Sequence, residues 1–533
     1  MTVANARDTR SHPRESPAAR SAILRIARIE AIRLLRHPVM IGGFLTLALA
    51  WLLPTWFGDQ AAAYPSMHEV NQSVQLASAF ILGGAALIVS HLAVTRATRH
   101  GAEALVATLA LTRAQRIAAH LLALVPLVPL TGIIVAARVM TIGADPHAVG
   151  SVAPHEMAVG PFAVLLLGAV GVLLGSATAL TVTGPVTVAL LFFATFGSVL
   201  FAPANGLRIQ ALLPVTYDEV FLLPIPSALV DRRDDWHLLY LIAGTALIAL
   251  AALLASGYRP LWSKVTAFLT AVAVGVVAWI QVKPPDQTVI EARATATSTP
   301  ASQQVCERRS EITYCAWPEF KPWFDSWDRI ARGALTRVPP DVAAQPLAVR
   351  QRVNAANPLG LGSGTISKAP VDSWSRDDEL AGTPNAVIAE TTWGRPEDEF
   401  GLASRLAYAV VSGNPPPANI AAVCGAQSLV TLWIAVGASE SAKAGLEELR
   451  SRGGGGVFMT TAGFGTGVAF THASFVLLRA MSELPENSTR EKVFASWKKL
   501  TEPSTTLHQA AEILGIATAR IPPVGDSRCQ EKE

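Results

Sequence analysis

Residues 159–182 read VGPFAVLLLGAVGVLLGSATALTV, an unbroken run without a charged side chain. The hydrocarbon core of a bilayer is about 30 Å thick and is crossed by about 20 mostly apolar residues in a helix. This run is therefore long enough to span. Six more such stretches surround it, near 39–57, 74–95, 117–140, 185–203, 237–256 and 263–282. The tight Val182–Pro185 link leaves the fourth and fifth a second reading, as a re-entrant pair. Beyond residue 282 roughly half the chain follows with no run of that length. Charged residues make up 16% of the chain, below the roughly one quarter usual in soluble domains, which agrees with lipid as solvent for part of it. The expected fold class is mainly α. A polytopic helical membrane domain of about seven spans (residues 38–283) is followed by a linker (284–304) and an α-rich mixed extracytoplasmic domain (305–533).

Arginine and lysine orient the spans. Arg20, Arg25, Arg28, Arg33 and Arg36 precede the first; Arg96, Arg99, Arg113 and Arg116 follow the second; Arg259 and Lys264 follow the sixth. The alternate loops hold Asp59, Glu69, Asp145, Glu156, Asp218 and Glu219, with only Arg208, Arg232 and Arg233 against them. Positive loops stay cytoplasmic, so the N-terminus is expected inside a plasma membrane. An odd number of spans then puts the C-terminal domain outside. Cys306, Cys315, Cys424 and Cys529 all fall in that domain, where disulfides persist. Cys306 and Cys315 are near enough to close a small loop, which would leave Cys424 for Cys529; four cysteines allow three connectivities, and buried free thiols are the alternative. The net charge of +3 is close to neutral and gives no reason to expect a nucleic-acid partner.

Residues 1–19 are polar and rich in Arg, Pro and Ser, the composition of a disordered tail. Ala61-Ala62-Ala63 has the look of a signal-peptidase site, but the charged lead-in is too long and the apolar run is full span length, so no cleavage is expected. Residues 20–37 form one unit around a strong helix former, Ala22–Arg36. Arg25, Arg28, Arg33 and Arg36 gather on one side of it, Ile23, Ala27, Ala31 and Leu34 lie opposite, and Ile29 and Ile32 intrude on the basic side. Such a helix fits the headgroup layer of anionic lipid; an ordinary positive flank that fixes topology is the other reading. Past the Lys283-Pro284-Pro285 linker, the aromatic run Trp317, Phe320, Trp323, Phe324 and Trp327 reads as core. Residues 338–402 are loop-rich with a strand near Asn385–Thr392. Helices are expected at Leu402–Val411, Ala421–Val436, Ser439–Ser451, Ala469–Met481, Thr489–Leu500 and Thr505–Gly515.

Enzyme signatures fail on inspection. No Gly-x-x-x-x-Gly-Lys-Ser/Thr loop occurs, and Gly362–Lys368 lacks the glycine before lysine. The Gly463, Gly465, Gly467 run and the Gly453–Gly456 block read as turns. His68-Glu69 and His155-Glu156 have Gln72 and Val159 where a zinc protease needs its second histidine, so no metal site follows, and Gly-x-Ser-x-Gly is missing. Asp59, Asp231, Asp234 and Asp235 could serve a membrane glycosyl transferase with a C-terminal outer domain. Asp231-Arg232-Arg233-Asp234-Asp235 also reads as a solvated loop end. His91, His120 and Arg138 are polar groups within spans; His91 and Arg138 sit near span ends, where snorkelling suffices.

Between the second and third spans stands Arg99-His100-Gly101-Ala102-Glu103-Ala104-Leu105-Val106-Ala107-Thr108-Leu109-Ala110-Leu111-Thr112-Arg113. It resembles the loop of type-2 ABC exporter permeases, matching at Gly101, Glu103, Leu105, Thr108, Thr112 and Arg113. His100 stands where the family carries an acidic residue. The resemblance implies a short coupling helix seated in a groove of an ATPase subunit; Glu103 and the flanking Arg99 and Arg113 could pair with charges on such a partner. A rigid helix held between two spans transmits rigid-body motion into the membrane; a solvated loop obeying the positive-inside rule is the alternative. The 22–36 helix is similar to the family's interfacial connecting helix. The resemblance covers roughly residues 20–282. The family normally has six spans, so a seventh with an outer domain marks an enlarged, actinobacterial-style variant. The implied protein is a homodimeric permease subunit without its own ATP site or cofactor. A multi-span glycosyl transferase and a non-transporting sensor or scaffold are the competing classes.

Overall fold

The computed structural model describes residues 17–52, 66–102, 111–200, 207–215, 224–353, 355, 370–416, 420–452, 457–462, 466–517 and 529. Eight helices build the N-terminal half: α1 (Pro17–Leu35), α2 (Pro38–Leu52), α3 (Met67–Val94), α4 (Arg113–Gly143), α5 (Pro154–Ala177), α6 (Thr183–Leu200), α7 (Asp234–Ala255) and α8 (Leu261–Ser298). Five of them, α3, α4, α5, α7 and α8, are long and apolar enough to cross a membrane, and α1 with α2 makes a sixth only as a pair bent by 53°. Pro38 causes that bend. It has no N–H to continue α1, and its fixed φ starts α2; His37 Nδ1 accepts from Val39 N at 3.2 Å. The described part of the first expected span is thus short, roughly 22 Å at 1.5 Å per residue, and α6 is likewise a shorter apolar helix.

Helix α5 lies at the centre, packed on α3, α4 and α7. Its glycines allow the approach: a Cβ at Gly171 would overlap Leu87 O and Ser90 Oγ, the small-residue contact that brings membrane helices together. Ser90 Oγ donates across the same seam to Gly168 O at 2.8 Å. By contrast, α7 and α8 turn apolar side chains such as Phe268 and Trp279 outward.

Residues 284–304 are not an extended connector, because Gln287–Ser298 continues as helix. Strands β1 (Val305–Arg309), β2 (Ile312–Ala316), β3 (Leu347–Gln351) and β4 (Val387–Ala389) form a sheet in that order, the first pair antiparallel and the rest parallel. A second sheet runs β5 (Ile420–Val423), β7 (Thr466–Thr471), β6 (Val457–Ala462). Around them lie α9 (Phe324–Leu335), α10 (Val371–Leu380), α11 (Pro396–Ser412), α12 (Gly425–Val436), α13 (Glu440–Arg452), α14 (His472–Ser482), α15 (Glu486–Ala495) and α16 (Leu507–Leu514). Two expected helices begin too early. Residues 421–423 and 469–471 are strand, paired in parallel to each other, and Gly425, at φ +61°, turns the chain from β5 into α12.

The aromatic run is core as read: Trp317, Phe320, Trp323, Phe324 and Trp327 are all buried, with Trp393 6.2 Å from Trp327. Arg350 on β3 and Arg352 just beyond its end, both fully buried, reach Asp377 and Asp378 of α10 at 2.6–3.0 Å. Trp374 of α10 donates to Thr297 O at 2.6 Å, which ties α8 into this half.

Candidate functional site

Helix α1 lies along the first turns of α4 and the end of α3. It buries Ile23, Ala27, Ala31 and Leu34, and exposes Arg25, Arg28, Arg33 and Arg36 beside Leu24, Ile29 and Ile32. The motif reading passes over Glu30. This carboxylate, 8% exposed, receives Arg33 Nη1 at 2.8 Å and Arg96 Nη1 at 3.3 Å. It therefore joins α1 to the segment after α3. A lone acid three residues before an arginine in an otherwise basic helix was the available signal.

Of the seven residues expected to couple, Glu103, Leu105 and Thr108 lie outside the described residues. The other four have local structural work. Arg99 donates to Leu92 O at 2.8 Å, on the last turn of α3. Gly101 takes φ +64° just past a one-turn helix, Arg96–Arg99, a left-handed cap that favours glycine. Thr112 opens α4 through a reciprocal cap with Gln115, the two bonds measuring 3.2 and 3.0 Å. Arg113 donates to Ser176 O at 2.8 Å and holds the end of α5.

The far end of α4 leads to the loop on which the C-terminal half sits. Trp323 Nε1 donates to His147 O at 2.7 Å, and His147 Nε2 shares a hydrogen bond with Ser326 Oγ at 3.0 Å. Glu319 Oε1 accepts from Ser227 N at 2.7 Å, and Arg293 Nε donates to Leu229 O at 2.8 Å. Val149, Ile225 and Leu229 belong to the same apolar core as the tryptophans. The α1 surface and the C-terminal half thus occupy opposite ends of the bundle.

The acidic run at 231–235 is not a solvated loop end. Asp231 Oδ2 receives Arg208 Nη1 and Arg233 Nη2, each at 2.9 Å, and Arg232 Nη1 meets Glu156 Oε1 at 3.1 Å. Asp234 is buried and Asp235 alone is exposed; Asp59 lies outside the described residues. A carboxylate clasped by two guanidinia is not free to act as a base.

Within the bundle, His91 Nε2 is 2.9 Å from Leu180 O, and Arg138 lies 5.8 Å from the Trp51 ring centroid. Both are structural ties. The more telling polar groups are Asn71, Gln75 and Ser78, buried along one stripe of α3 beside a π-helical turn, Ser78–Gly83. Gln75 Nε2 donates to Glu156 O at 3.0 Å, whereas Asn71 Oδ1 and Ser78 Oγ have no partner among the described residues. Sequence reasoning takes 67–73 for a loop; the three-to-four-residue polar spacing was the signal for a helix face. Among the described residues no three His, Cys, Asp or Glu side chains converge as a metal site.

In the C-terminal half Cys306 pairs with Cys315 across β1 and β2, with Cα atoms 4.1 Å apart, and Cys424 pairs with Cys529 at 5.3 Å. Half-buried carboxyls gather near Pro396. Burial pushes Asp398 up to about 7, with Glu390 adding repulsion, while Glu390 itself is raised by burial against the pull of Arg405.

Compared with models of known protein families the chain matches none, and no curated protein is significantly similar to it in sequence.

Proposed function

We propose that this chain is the membrane-spanning permease subunit of an ABC exporter, working as a homodimer and driven by a separate ATPase subunit. The observation that carries the reading is the surface formed where α1, through Glu30, is locked to the segment after α3. That surface combines exposed arginines with exposed Leu24, Ile29 and Ile32, a composition suited to lipid headgroups on one flank and a protein groove on the other. A body that pushes there moves α1, α3 and α4 together, because buried contacts join them.

In this reading the 95–116 loop, with Glu103 at its centre, seats in the ATPase, and α2 and α6 complete seven passes. The N-terminus is then cytoplasmic in the plasma membrane, and the C-terminal domain, held by two disulfides, is extracellular. The clasped state of Asp231 removes one of the four carboxylates that could serve glycosyl transfer.

The test is copurification with an ATPase and measurement of its stimulation. Glu103→Arg should abolish stimulation with expression intact. No free thiol is present among the described residues, so Ala107→Cys can be probed with an impermeant thiol reagent on intact cells. Labelling from outside would rule out ATPase contact there and end the proposal.

A further inference from the structure

A cleft of about 720 Å³ opens in the C-terminal half between α13 and α14, with the start of α15 at one side. Its size falls in the range of small-molecule sites, which is roughly 300–1,000 Å³. Two buried aromatic residues, Trp433 and Phe475, back its lining. Each lies under a guanidinium: Arg337 is 5.0 Å from the Trp433 ring centroid and Arg450 is 3.7 Å from that of Phe475. These two arginines are committed, Arg337 to Glu486 at 2.8 Å and Arg450 to Glu447 at 3.0 Å.

What remains in the lining is unbalanced. Lys443 on α13 and Arg479 on α14 are exposed, and neither is held in an ion pair among the described residues. Only Glu440 opposes them.

We propose that this cleft binds a small amphiphilic anion, its acidic head held by Lys443 and Arg479 and its apolar body laid against the half-buried Val436 and Leu484 and the guanidinium planes stacked on Trp433 and Phe475. Planar guanidinia stacked on aromatic rings present flat, weakly hydrated surface. The site stands on the C-terminal half alone and is independent of the exporter reading.

The test uses the full chain in nanodiscs, without any ATPase, and titrates hexyl phosphate by calorimetry. Hexyltrimethylammonium and inorganic phosphate serve as comparators. Saturable binding of hexyl phosphate is expected, at least tenfold weaker for inorganic phosphate and undetectable for the cation. The double substitution K443Q/R479Q, at two exposed positions, should weaken it at least tenfold. Binding of the cation with equal affinity, equal binding of inorganic phosphate, or binding unmoved by K443Q/R479Q would each overturn the assignment.

Discussion

Replacing Asp231 by asparagine keeps the side chain's shape and removes its charge. In the folded protein its Oδ2 neutralises Arg208 and Arg233, both 2.9 Å away, and the three side chains are only 7–14% exposed. The two arginines are themselves anchored: Arg208 N donates to Val282 O at 3.0 Å, and Arg233 donates to the carbonyls of Ile280, Lys283 and Pro284 at 2.8–3.2 Å. The substitution therefore removes the carboxylate charge that two largely buried guanidinia share where the start of α7 meets residues 280–284 of α8. Hydrogen bonds to charged groups contribute about 1.5–3 kcal/mol each, and removing one member of a buried pair costs about 3–5 kcal/mol. A loss of about 3–5 kcal/mol is expected for Asp231→Asn, against less than about 0.5 kcal/mol for the exposed Asp235→Asn. Thermal unfolding of the purified full chain, followed by tryptophan fluorescence, measures both. Adding Arg208→Gln to Asp231→Asn should recover at least about 1 kcal/mol, since it removes one of the two guanidinium charges that the carboxylate offset. If Asp231→Asn matches the parent within about 0.5 kcal/mol, or Asp235→Asn is as damaging, the clasp contributes nothing and the run is a solvated loop end after all.

Glu30→Gln should free α1 from Arg96, raising amide exchange over residues 20–35 by about tenfold for a loss near 1.4 kcal/mol; unchanged exchange would show that apolar packing alone holds α1. The Cys424–Cys529 bond closes a loop with a sequence separation of 105, against 9 for Cys306–Cys315. Chain entropy then assigns about 4.7 and about 2.6 kcal/mol, so denaturant unfolding of the paired Cys→Ala variants should rank them in that order. Asp398 holds its proton up to about pH 7 in the folded state, because burial raises it from 3.8. Folding therefore takes up a proton between those values, and stability should fall as pH rises from about 4 to 7. Asp398→Asn should flatten that slope in a pH series of unfolding midpoints.

The chain's local chemistry was enough for the helices that are long and apolar enough to cross a membrane. A helix in lipid must satisfy its backbone internally, so about 20 consecutive apolar residues carry the decision without reference to the rest of the chain, as at 159–182. The buried and exposed faces of α1 follow equally from its own periodicity, and the tryptophan run near 317–327 is too large and apolar to lie outside a core. Tertiary structure decided what depends on distant partners. Residues 420–423 are apolar enough for helix or strand, and only pairing with Thr466–Thr471 makes them strand. The clasp on Asp231 needs Arg208 from another loop, and the Cys424–Cys529 pairing needs the two ends of a long loop brought together. Pattern reports the face a residue prefers; which charge or thiol stands opposite it is a property of the fold.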